Sequence, residues 1–82
     1  MKVKTKYARA LETLLGLDGN RTYRWIELIT LLMEAGLSSS YACRVISELA
    51  RLHGGLEKVD YGEYRVDKAK LRRLLSRLEK PV

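Results

Sequence analysis

The stretch that most constrains this chain is Leu37–Leu52, LSSSYACRVISELARL. Wound as an α-helix at roughly 100° per residue, it divides into two faces. Ala42, Val45, Ile46, Leu49 and Leu52 fall on one side, and Ser40, Arg44, Ser47 and Arg51 on the other. A helix of this kind must lie on an apolar surface. Its opposite face, with two cations, hydroxyls and the neighbouring Tyr41, is left for water or a partner. Glu48 stands at salt-bridge spacing from both arginines and is expected to pair with one of them rather than to accept from a cytosine amine.

The segments on either side supply what that helix needs. Upstream, Trp25–Ala35 is helical and apolar over most of its circumference, with Trp25, Ile26, Leu28, Ile29, Leu31, Leu32 and Met33 around a polar wedge of Tyr23, Glu27, Thr30 and Glu34. Such a helix is buried on several sides, or it serves an oligomer interface as well. Gly36 supplies the left-handed turn that ends it. Ser38 or Ser39 is placed to cap the following helix, and Gly54-Gly55 stop that helix near Leu52 and His53. Downstream, Leu56–Val59 and Tyr64–Val66 flank the turn Asp60-Tyr61-Gly62-Glu63 and read as a hairpin.

The ends are helical too. Thr5 is an N-cap for a first helix to Leu15, patterned by Tyr7, Leu11, Leu14 and Leu15, with Gly16 as its C-cap and turn residues at 17–20. Residues 1–4 are expected to fray. Arg21–Arg24 is either a very short strand or the start of the next helix. Asp67 caps a last helix, Lys68 to about Glu79, with Leu71, Leu74, Leu75 and Leu78 as a narrow seam and Pro81 beyond its end. The fold class expected is mainly α with a small β-hairpin, in one domain spanning residues 1–82.

Composition narrows the function. The net charge of +6 and isoelectric point near 9.7 favour an acidic partner, most often nucleic acid or an anionic membrane surface. The last helix's leucine seam, narrow and without large aromatics, argues against the membrane. No apolar run is long enough for a bilayer span, and MKVKTKYARA lacks the apolar core of a signal peptide, so an intracellular, soluble chain is expected. One cysteine and one histidine leave no metal cluster and no intramolecular disulfide. Cys43 reads as a small core hydrophobe, and His53 as a helix C-terminal residue that suits the dipole. There is no paired-carboxylate, Cys/His or Gly-rich phosphate constellation, so neither enzymatic activity, nor a cofactor, nor a small-molecule ligand is expected. The absence of glutamine among many Lys, Arg, Glu and Leu residues is a thermophile-like profile.

The order helix, helix, glycine turn, polar-faced helix, hairpin, helix resembles the winged helix-turn-helix DNA-binding family. The residues that carry it are Trp25–Leu37, Ser38–Leu52, and Leu56–Val59 through Tyr64–Val66, a core of 21–67 with an N-terminal helix (5–15) and a C-terminal helix (68–79) added. The layout is that of small archaeal or archaeal-virus regulators, which would place the chain in the cytoplasm, nucleoid-associated or in a host cell. The resemblance implies a recognition helix at 38–52 in the major groove of double-stranded DNA, and a wing on backbone or minor groove. It implies Arg44 as base reader, Ser39, Ser40 and Tyr41 as phosphate contacts, Ser47 in the groove-facing set and Arg51 as a phosphate clamp. Lys58 and Arg65 would reach phosphates from the wing, whose tip bears two acids where such wings usually carry Arg or Lys. A homodimeric transcription regulator is expected, joined through the terminal helices and the apolar second helix. The basic residues of the last helix would raise general DNA affinity. Rival readings are a protein-interaction module and a non-specific coat on DNA.

Overall fold

The computed structural model describes residues 5–79; the expectations placed on residues 1–4, Lys80 and Pro81 lie outside that range. In chain order the elements are α1 (Lys6–Leu15), β1 (Thr22–Arg24), α2 (Trp25–Glu34), α3 (Ser39–Glu48), a π-helical turn (Leu49–His53), β2 (Leu56–Asp60), β3 (Glu63–Val66) and α4 (Lys68–Glu79).

Local chemistry sets most of these boundaries. The Thr5 hydroxyl accepts from the Ala8 N–H at 3.1 Å and starts α1. The Ser38 hydroxyl accepts from the Tyr41 N–H at 3.2 Å and starts α3. The Asp67 carboxylate accepts from the Lys70 N–H at 3.1 Å and starts α4. Each satisfies a donor that the first helical turn leaves open. At α2 the Glu27 carboxylate reaches back to the Arg24 N–H at 3.0 Å. Between α2 and α3, Gly36 sits at φ 98°, where a Cβ would be strained. That turn lets the Leu37 N–H close on the Leu32 carbonyl at 3.1 Å.

The hairpin is joined by a third strand in the stretch that the sequence leaves open between a short strand and a helix start. Thr22–Arg24 is β1, and the antiparallel order is β1-β3-β2, with Tyr23 opposite Tyr64 and Leu56 opposite Val66. The fold is mainly helical with a small three-stranded sheet. Around the Tyr61-Gly62 turn the ladder is irregular between Lys58 and Asp60, so Val59 has no opposite number.

Leu11, Leu14, Leu28, Leu32, Ile46, Leu49, Leu56 and Leu71 are fully buried. They come from every helix, the π turn and β2, which makes the core a single cluster. α4 packs against α1 of the same chain, with Leu71 buried, Leu74 and Leu75 half-buried and Leu78 exposed.

One expectation about burial fails. Leu52, assigned to the apolar face of α3, is 74% exposed. The α-helix gives way after Glu48 to a π turn, whose wider i→i+5 winding carries Leu52 off the line of Val45 and Leu49. The turn ends at Gly54 in the left-handed region, φ 71°. α2 is buried over part of its circumference: it covers Leu28, Ile29 and Leu32 but leaves Ile26 62% and Met33 48% exposed. Four positions apart and then three, Ile26, Thr30 and Met33 form one open stripe.

Candidate nucleic-acid interface

The outward face of α3 stands as its periodicity predicts through Glu48. Ser39, Ser40 and Arg44 are exposed, Tyr41 and Ser47 half-buried, and Arg51 is exposed within the π turn. Inward, Ala42, Val45 and Ile46 are buried in the core, which fixes the rotation of the helix. Cys43 is half-buried at the edge of that core.

Glu48 pairs with Arg44, its Oε1 3.0 Å from Arg44 Nε. Only Nε is engaged. The two terminal nitrogens of the guanidinium have no partner among the described residues, and the Arg44 side chain is 77% exposed. The pair therefore orients a fork whose open end points to solvent and remains fit for two parallel hydrogen bonds.

A residue the sequence did not place here completes the face. Tyr7 of α1 meets Tyr41, Arg44, Val45 and Glu48 around a shallow depression of about 280 Å³. Its other neighbour is His53, edge-on at 6.5 Å between ring centroids. The Tyr7 hydroxyl is buried and has no hydrogen-bond partner among the described residues. Burial, then the Glu48 charge and Tyr41, push its pKa up. Burial and Glu48 likewise raise Tyr41, partly offset by Arg44. Both phenols are thus held neutral, as donors.

An orphaned buried hydroxyl is a cost with no return, because it has left water without gaining a partner. Tyr7→Phe is therefore expected to stabilise the fold by about 1 kcal/mol, read as a rise in thermal midpoint; a fall would show that the hydroxyl is bonded. The folded pKa of Tyr7 lies above its unfolded value, so the protonated phenol favours the folded state. The stability tied to it is full below about pH 10 and is lost as pH rises through the folded value. The Tyr7→Phe variant should lack that part of the alkaline loss.

The hairpin does not gather its two cations. Lys58 lies opposite Tyr64, and Arg65 opposite Glu57 and Thr22. Cross-strand partners share a face and successive residues alternate, so Lys58 and Arg65 project from opposite faces of the sheet. Lys58 lies over the Tyr61 ring, 5.5 Å from its centroid. On the face of Arg65, Arg24 is matched by Glu57 and Glu63. The tip adds Asp60, whose carboxylate holds the Tyr61 N–H at 2.7 Å, while the Tyr61 ring is 92% exposed. The hairpin is thus close to charge-neutral, and phosphate has little to gain there.

Among the described residues no helix is long and apolar enough to cross a membrane, and no group of three or more His, Cys, Asp or Glu is placed to hold a metal ion. Comparison with protein-family models, with curated proteins and with solved structures found no match.

Proposed function

We propose that this chain is a winged helix-turn-helix protein that binds double-stranded DNA at preferred sequences and regulates transcription as a homodimer. The observation that carries this reading is the outward face of α3. A buried inner face locks the helix, the Gly36 turn sets it against α2, and Ser39, Ser40, Tyr41, Arg44 and Arg51 stand on the outside of a protein with net charge +6. In the reading, α3 enters the major groove. Arg44 offers its terminal nitrogens to guanine O6 and N7, Ser39, Ser40 and Tyr41 hold phosphates at the helix start, and Arg51 clamps the backbone beyond. Arg65 and Lys58 contribute weakly, for the reason the sheet register gives. No catalytic step belongs to this function.

The dimer is supported by the open Ile26–Met33 stripe of α2, an apolar surface that a second copy would cover. Sedimentation at rising concentration is expected to show it, and Met33→Asp to return the chain to monomer.

Selection of bound duplexes from random sequence, followed by salt titration, tests the main claim. A base reader enriches a motif and keeps its preference as salt rises. Binding that fades equally for all duplexes would reduce the chain to a charge-driven coat, and no duplex binding at all would leave α3 as a surface for an acidic protein.

A further inference from the structure

We propose that the groove between the π turn and α4 is a second binding site for DNA backbone phosphate, and that it does the work that a wing would otherwise do; this rests on the DNA-binding reading above. The groove holds about 230 Å³ and is lined by Leu52, His53, Lys70, Arg73, Leu74 and Arg77. Four of these six carry nitrogen bases or cations, and none is acidic. Lys70 is 4.0 Å from Asp67, whereas Arg73 and Arg77 have no ion-pair partner among the described residues. One helix terminus presents about half a negative charge, so unpaired guanidinium groups in addition to Lys70 exceed what the end of α3 and its π turn call for. Two arginine forks beside apolar walls suit phosphate, which accepts from them bidentately while Leu52 and Leu74 support their aliphatic stems.

The placement of the groove points to the same occupant. Tyr7 lies in the depression beside Tyr41, Arg44 and Glu48, and its ring also meets His53. The α3 face and the groove are therefore linked through the contact of Tyr7 with His53. Leu52, which the π turn holds 74% exposed, forms an apolar wall of the groove. A ligand on Arg44 that continues past Tyr7 and His53 reaches the groove of Arg73 and Arg77.

Charge segregation supplies the third argument. α4 carries Lys68, Lys70, Arg72, Arg73 and Arg77 within its 12 residues. The hairpin and α2 carry Glu27, Glu34, Glu57, Asp60 and Glu63, half of the chain's 10 acids. A polyanion on α3 gains little from a sheet close to charge-neutral or from the acids of α2, and more from the cations of α4.

The test uses the whole chain and two duplexes, one selected and one random. Arg73 and Arg77 are exposed, so Arg73→Ala/Arg77→Ala is expected to melt like the parent. Each lost phosphate contact flattens the slope of log affinity against log salt by about 0.9, so the pair should flatten it by about 2 on both duplexes, with sequence preference unchanged. Lys58→Ala/Arg65→Ala should flatten it by less. An unchanged slope in the α4 variant, or a larger change in the hairpin variant, overturns the groove while leaving DNA binding by α3 intact. A parent protein with no salt-dependent duplex binding overturns both. Loss of binding to polyglutamate with the duplex slope retained would also overturn the proposal, and would give the groove to an acidic protein.

Discussion

Replacing Ile46 by alanine is expected to cost the fold about 2–5 kcal/mol. Ile46 is completely buried in the middle of α3, within the cluster that ties that helix to the rest of the core. Truncation removes three methyl or methylene groups from water-free surroundings and leaves a void that neighbours fill only in part. A chain of this length holds about 4–12 kcal/mol in total, at 0.05–0.15 kcal/mol per residue. The thermal midpoint should therefore drop by about 10 °C or more. Arg44→Ala, two residues away on the opposite face, is expected to stay within about 0.5 kcal/mol of the parent, because its exposed ion pair contributes little. The contrast tests the two-faced reading directly. If both variants melt like the parent, α3 is not docked by the face on which the whole site depends.

That two-faced reading was legible because it rests on local rules. The spacing of Ala42, Val45, Ile46 and Leu49, the caps at Thr5, Ser38 and Asp67, the glycine turn at Gly36 and the i,i+4 pairing of Arg44 with Glu48 are each written within a few residues. They appear in the structure where the local chemistry puts them. What was not legible depends on partners distant in sequence. Three residues, Thr22–Arg24, are too few to show alternation, so the sequence leaves them open between strand and helix start, and β3, some 40 residues later, decides the matter by offering its edge. Tyr7 reads as one more apolar position of α1 until packing brings it beside Tyr41 and Glu48.

Leu52 failed for a different reason. A fixed angle of roughly 100° per residue was carried through the end of a helix that changes its winding. The consequence reaches beyond one residue, because the same turn places His53 against Tyr7 and opens the groove that faces α4. The opposite projection of Lys58 and Arg65 was hidden in a similar way. Alternation along each strand is local, but which residues stand opposite one another is fixed by a two-residue turn and an irregular ladder. Hairpin cations that look like a pair in the sequence are therefore separated by the sheet itself.

Arg44→Ala is expected to lose about 1–3 kcal/mol of discrimination at one base pair, a loss of roughly 5- to 150-fold in preference for guanine there. The rest of the site keeps its specificity, and total affinity falls less than the preference does, because phosphate contacts remain. Glu48→Ala separates two roles that the same carboxylate plays. Its negative charge lies on a surface proposed to meet phosphate, so removing it should tighten binding to random duplex. Its grip on Arg44 Nε fixes the plane of the guanidinium, so removing it should also let the fork wander and blunt the preference at that same base pair. Affinity and specificity then move in opposite directions in one variant. If Glu48→Ala tightened binding and left the preference intact, Glu48 would be a bystander in an exposed ion pair. If Arg44→Ala left every base preference intact, Arg44 would lose the role of reader, and the search would move to Tyr41 and Ser40 on the same face.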